Sequence, residues 1–318
     1  MRAAAEAHAR LLGHWRKNLW SACNGSGVWH NRLSYPPRSS CAADDRPRAF
    51  PEMNASSAPV AGIGDAVRPG SVIPATTLLA AWRAFAVLFF SAWALAEIMA
   101  VILFVRRERR LAARTEWLHR WCRFACRVLG IRVTTYGAMP RSSLLVCNHL
   151  SYLDIIVLSS IRPCVFVAKR DVAGWPLFGW LARAAGTIFV DREHRLSSSA
   201  VLNPVRHAIS GGLLVVVFPE GTSSDGSTVL PFKSALLESA VQLQCPVASA
   251  SVQYALDDGS VADEVCYWRD MTLVPHLLHL FFKREIRSSC SFSLPKVRAG
   301  NRKEITRELH DEIMAMRS

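Results

Sequence analysis

Asn148-His149-Leu150-Ser151-Tyr152-Leu153-Asp154 follows directly on the apolar run Leu144–Cys147. Downstream, Phe218-Pro219-Glu220-Gly221-Thr222 closes the apolar run Leu213–Phe218 in the same manner. Short continuous apolar runs bounded by turn residues read as buried strands. A polar cluster at the end of each is how an α/β fold gathers a site. No serine or cysteine nucleophile motif competes with these two stretches.

Outward from them the pattern alternates. Further strands are expected at 164–168, 187–190 and 246–253, with another near 286–293. Helical stretches fit at 153–160, 175–185, 197–210 and 233–243. This alternation predicts an α/β fold, a largely parallel sheet flanked by helices. Asn301 with Glu304 three positions on resembles a capping box, opening a last helix with Ile305, Leu309 and Ile313 on one face.

The spacing of His149 and Asp154 has a chemical meaning. Residues five apart within one helix point about 140° away from each other. The two side chains meet only if His149 lies in the strand-to-helix turn and Asp154 in the first turns of the helix. Asp154 then accepts the imidazole Nδ1–H and leaves Nε2 free as a general base. Alone, such a pair is more often a structural histidine beside a helix-capping acid. Its companions reverse that balance.

The companions come in a fixed order: Gly186-Thr187-Ile188-Phe189-Val190-Asp191-Arg192, the Pro-Glu-Gly-Thr turn, and then Pro246-Val247 opening a β-rich run to Tyr254. With them the chain resembles the glycerolipid acyltransferase superfamily, especially its 1-acylglycerol-3-phosphate acyltransferases, over roughly residues 80–300. The resemblance implies that His149 is the base and Asp154 its orienting partner. It implies that Gly186, Phe189 and Arg192 hold the acceptor, that Glu220, Gly221 and Thr222 surround it, and that Pro246 belongs to the acyl-donor side. The implied reaction moves a fatty acyl group from an acyl carrier protein or coenzyme A thioester to a lysophospholipid hydroxyl, giving phosphatidic acid. No cofactor beyond that donor and no metal ligand set is implied.

One position departs from the pattern. Where the third block of phosphatidic acid-forming enzymes usually has an arginine, this chain has Ser223. Arginine binds a phosphate bidentately with a permanent charge, and serine does not replace that. Arg192 and Lys233 remain as cations for a phosphate. The alternative is an acceptor without a phosphomonoester, as in a lyso-ornithine lipid. A rival of another class is a catalytically silent, membrane lipid-binding protein; the intact His149, Asp154 and Glu220 argue against it.

Composition points to a membrane. Hydrophobic residues make up 51% of the 318, yet the net charge is +13. A basic balance fits nucleic acid or anionic lipid, and the position of the charge decides. Nine arginines between 106 and 132 face only Glu108 and Glu116, directly after the apolar stretch Ala84–Val105. That favours lipid over nucleic acid. Such a stretch is long enough to cross a bilayer, and Arg106-Arg107-Glu108-Arg109-Arg110 would keep the downstream domain in the cytosol. Glu97 within it needs a partner or water, so spanning and leaflet-embedded arrangements stay open.

Leu111–Leu129 is expected to be an interfacial helix, with Trp117, Trp121, Phe124 and Val128 in the acyl boundary. Residues 73–132 are thus read as membrane-anchoring helices and 133–318 as the acyltransferase domain. Residues 1–72, rich in Ser, Ala, Pro and Arg without periodicity, are read as a disordered extension. Nine cysteines without a C-x-x-C pair are expected to be free thiols.

Overall fold

The computed structural model describes residues 75–175, 178–190 and 199–317. The expected extension, residues 1–72, and Arg192 lie outside the described residues.

Helices α1 (Ala75–Phe104) and α2 (Arg107–Leu129) lead into β1 (Ile131–Tyr136) and β2 (Ser143–Cys147). Then come α3 (Leu153–Ile161), β3 (Cys164–Lys169), α4 (Phe178–Ala185), β4 (Ile188–Val190), α5 (Ser199–Ser210) and β5 (Leu214–Val217). The chain continues through α6 (Glu238–Leu243), β6 (Val247–Ala255) and α7 (Val261–Glu264). It closes with α8 (Leu273–Phe282), β7 (Ile286–Phe292) and α9 (Arg302–Ala315).

The seven strands form one sheet in the order β1-β7-β6-β2-β5-β3-β4. Neighbours run parallel except β6 and β7, which are antiparallel. Central strands β2 and β5 are buried at every position, as expected of a sheet covered on both faces. Along β2, Leu145 and Cys147 join one core while Leu144 and Val146 join the other. The first core takes side chains from α1, α2, α3 and α8, the second from α5, α6 and α9.

The α1–α2 pair corrects one expectation. Trp117 is 1% exposed, and its indole N–H donates to the Ala94 carbonyl at 3.1 Å. Phe124 packs edge-on against Phe90 with centroids 4.5 Å apart. Trp121 donates to Glu97 Oε2 at 2.9 Å, and Arg120 pairs with Glu97 Oε1. The aromatic side of α2 is therefore packed on α1 and is not turned toward acyl chains. Periodicity marks an apolar face without saying whether a helix or a lipid covers it.

At the other end of α1, Arg83 is 3% exposed and donates to the carbonyls of Phe281, Lys283 and Arg284, where α8 ends. Cationic side chains commonly satisfy the orphan carbonyls of a helix C-terminus. α1 is thus fastened to the sheet domain at Arg83 and to α2 at Glu97. On its remaining face Leu78, Trp82, Phe85, Leu88 and Phe89 are exposed.

Candidate active site

The sheet positions the site through the two strand ends already singled out. α3 starts at Leu153, so His149 lies in the turn after β2 and Asp154 in the first helical turn. Their side chains meet, with His149 Nδ1 2.8 Å from Asp154 Oδ2. Asp154 is fully buried, and Oδ2 also accepts the backbone N–H of Leu150 at 2.7 Å and of Ser151 at 3.0 Å. Oδ1 accepts the Tyr254 hydroxyl at 2.7 Å. An oxygen already accepting two amides is an acceptor toward His149 as well, so Nδ1 carries the hydrogen and Nε2 presents its lone pair. The imidazole stacks on Phe218 at 4.2 Å and its side chain keeps 21% of its surface open.

Glu220 does something the motif did not reveal. It is 2% exposed, and both of its oxygens are taken by backbone amides: Oε1 by His149 at 2.7 Å, Oε2 by Leu230 at 3.0 Å. The Ser224 amide donates to the His149 carbonyl at 3.0 Å. Both backbone groups of the histidine are therefore held by the third block. Burial raises the Glu220 carboxyl from its ordinary 4.5 to about 6, against the lowering effect of the His149 and Leu230 amides.

This has a consequence for pH. Below about 6 the carboxyl carries a proton where one of the two amides now donates. We expect kcat/KM to fall as pH drops through that value, and Glu220→Gln to be about 10- to 100-fold down even well above it. A Glu220→Gln variant that matched wild type at about pH 8 would contradict this. The effect on stability has the opposite sense: a raised carboxyl favours the folded state below 4.5, and that contribution is lost as pH rises through about 6.

The other residues named from sequence fall in different places. Gly221, at φ 68, closes the turn, and a Cβ there would meet Lys233 Nζ at 2.9 Å, so the lysine lies directly over it. Thr222 is exposed beside it. Ser223 turns its hydroxyl to the Tyr267 carbonyl. Phe189 is on β4, three strands from β2, which is about 14 Å sideways at ordinary strand spacing. Gly186, at φ 88, precedes that strand; a Cβ there would stand 2.7 Å from Leu111 of α2, so the glycine permits a close packing. The Pro246 carbonyl accepts from Leu144 at the start of β2, five residues and roughly 16 Å from His149. The structure thus joins His149, Asp154, Glu220 and Gly221, and leaves Gly186, Phe189 and Pro246 apart from them.

Two residues of the site carry no motif in the sequence. Asn148, fully buried, pairs both of its amide atoms with the Val252 backbone at 2.9 and 2.8 Å, fixing the end of β2 on β6. Tyr254 holds the far oxygen of Asp154, and burial, then the carboxylate itself, pushes its hydroxyl well above its usual range, so it stays a donor. The only signal for either is position: the residue before the histidine, and the end of the β-rich run.

A strap after α7 crosses this site. Tyr267 N–H donates to the Leu150 carbonyl at 2.9 Å and its carbonyl takes Ser223. Tyr152, Tyr267 and His276 of α8 pack edge to face behind it. A histidine base held by a carboxylate, open toward solvent and set in an aromatic wall, is suited to deprotonating an alcohol beside an apolar substrate.

The chain matches the acyltransferase family over residues 130–253. It is similar to the lyso-ornithine lipid O-acyltransferase of Rhizobium meliloti, 37% identical over 219 residues that cover 64% of this chain and 75% of the relative. It is also similar to the 1-acyl-sn-glycerol-3-phosphate acyltransferase of Neisseria gonorrhoeae, 33% identical over 143 residues, 42% of this chain and 56% of that protein. In fold it resembles the crystal structure of the 1-acyl-sn-glycerophosphate acyltransferase of Thermotoga maritima. The TM-score is 0.55 at 20% identity, over 76% of this chain and 92% of that one.

Proposed function

The chain belongs to the lysophospholipid-type O-acyltransferases, and from that premise we propose that it acylates a lyso-ornithine lipid from an acyl thioester, with His149 as general base. The observation that carries the mechanism is the His149–Asp154 pair with Nε2 unbonded among the described residues and both backbone groups of His149 gripped by the third block. Nε2 takes the acceptor hydroxyl proton as its oxygen attacks the thioester carbonyl. The thiolate leaves, and the histidine returns the proton to it. Asp154 faces the positive charge that develops on the ring. Lys233, which lies over Gly221, is placed to donate to the transient oxyanion. No covalent acyl-enzyme is needed. The donor is an acyl carrier protein or coenzyme A thioester.

Ser223 supports the choice of acceptor. Its hydroxyl is engaged with the strap, so that position supplies no cation for a phosphomonoester. An ornithine headgroup, with a carboxylate and an ammonium, makes no such demand. The second reading, 1-acylglycerol-3-phosphate as acceptor, is favoured by Lys233, which lies on the turn beside Glu220. Purified protein offered both lyso-lipids with one labelled donor decides between them. We expect the higher kcat/KM for lyso-ornithine lipid, and in Lys233→Ala a phosphate-acceptor KM that rises about tenfold. A preference for 1-acylglycerol-3-phosphate would move the substrate to the second reading.

The membrane arrangement we favour is leaflet-embedded. α1 is long and apolar enough to cross a bilayer. Yet Arg83 and Glu97 tie it lengthwise to α8 and α2, which belong to the sheet domain. Its exposed side chains, with the exposed Val274, Leu278 and Phe282 of neighbouring α8, form an apolar surface suited to one leaflet. The arginines at 106–110 then meet lipid phosphates on the cytosolic side.

A further inference from the structure

A groove of about 390 Å³ opens on the face of the sheet opposite α1 and α8. One wall is Pro231 and Phe232; the other is α9, which presents Lys303, Thr306, Arg307 and His310 along one side at helical spacing. The charges on α9 are sorted. Glu308 and Glu312 on its other side are paired with Lys296 and Arg298, and Arg302 is paired with Glu238. Lys303 and Arg307 have no ion-pair partner among the described residues. His310 acts as wall, its ring edge-on to Phe232 at 5.0 Å and its Nε2 3.3 Å from the Val229 carbonyl.

The groove is joined to the catalytic turn through its backbone. Leu230, next to Pro231, donates to Glu220, whose other oxygen holds His149. Lys233, next to Phe232, lies over Gly221. Lys303 and Arg307 thus stand on one side of the loop at 231–233, and Lys233 of that loop stands over the turn beside His149. The groove lies on the sheet face away from the proposed lipid surface, where a water-soluble substrate can reach it. We propose that this groove binds the phosphate of the donor's phosphopantetheine arm, with Arg307 and Lys303 as its cationic contacts and Phe232 against the arm. The arm then leads along Lys233 to bring the thioester to His149. The proposal rests on the reading that the donor is a phosphopantetheine thioester. Both coenzyme A and acyl carrier protein supply that phosphate.

The test is the double variant Lys303→Ala/Arg307→Ala in the full-length, detergent-purified protein; both side chains are on the surface, so the core is untouched. Donor KM is measured with acyl-coenzyme A, with acyl carrier protein thioester, and with an acyl N-acetylcysteamine thioester, which lacks the phosphate. We expect about a tenfold rise in KM for whichever phosphopantetheine donor the wild type uses. The phosphate-free donor and the lyso-lipid KM should not change. An equal loss with the phosphate-free donor, or no loss with any, overturns the proposal. Calorimetric titration with coenzyme A and with phosphopantetheine-bearing carrier protein separates the two readings. A protein that binds one of them through Lys303 and Arg307 but transfers no acyl group sinks the proposed reaction and leaves the groove. A protein whose binding is unchanged in the variant, or that binds neither, sinks the groove.

Discussion

His149→Ala is expected to lower kcat for acyl transfer by about 10²- to 10⁴-fold, the range general-base assistance usually supplies. The acceptor and donor KM values should move little, because the ring stacks on Phe218 without being placed to grip either substrate. The fold should survive. The side chain is partly open, and the groups that knit the turn together are its backbone N–H and carbonyl, which alanine keeps. The check is steady-state kinetics on a variant whose thermal unfolding matches wild type. A variant retaining more than a tenth of wild-type kcat would remove His149 from the base role.

The second large effect is expected at Asp154→Asn, with kcat lower by about 10²- to 10⁴-fold and an intact fold. The amide is the same shape. Its oxygen can take the place of Oδ2 and keep accepting from Leu150, Ser151 and His149, while its NH₂ faces a rotated Tyr254 hydroxyl. What disappears is the negative charge opposite the ring, which matters most when the ring takes up the substrate proton. Asp154→Ala behaves differently. It orphans two backbone amides and a hydroxyl in a fully buried site, each costing about 1–3 kcal/mol, and should lower the unfolding midpoint as well as activity. Asn and Ala variants that were equally folded and equally slow would contradict the distinction.

These contacts show what a sequence of this kind discloses. The central strands are legible because burial on both faces leaves a continuous apolar run, and β2 and β5 are buried throughout. The dyad is legible because one strand-to-helix turn holds both partners, so the spacing alone constrains them. β1 escapes such a reading: Ile-Arg-Val-Thr-Thr-Tyr holds strand-forming residues, but only Ile131 is buried, so no continuous apolar run marks it. α8 escapes it because ten mostly apolar residues with Pro275 in the first turn carry no helical pattern of charges. The role of Tyr254 depends on the register of β6 against β2, where Cys147 faces Ala250, and no local pattern encodes a register. The same register moves Pro246 to the far end of the sheet. Trp117 and Phe124 read as lipid-facing in the sequence because α1 and a bilayer demand the same apolar stripe.

Glu220 deepens that lesson. The motif suggests a residue that touches substrate, whereas the geometry gives its two oxygens to His149 and Leu230. It is a positioning residue. It connects His149 in the turn after β2, the turn after β5 and the loop that forms one wall of the α9 groove. The three parts of the proposed reaction meet at this one carboxylate.

The most direct test traces the label from a radioactive acyl thioester through wild-type protein in lyso-lipid vesicles, sampling protein, lipid and free acid on the timescale of one turnover. Direct general-base transfer predicts that label passes to the lipid hydroxyl as an ester, that the protein never carries it, and that without lyso-lipid the donor stays intact. Label bound covalently to the protein would replace general-base catalysis with a nucleophile not identified among these residues, and label released as free fatty acid would make the protein a thioesterase.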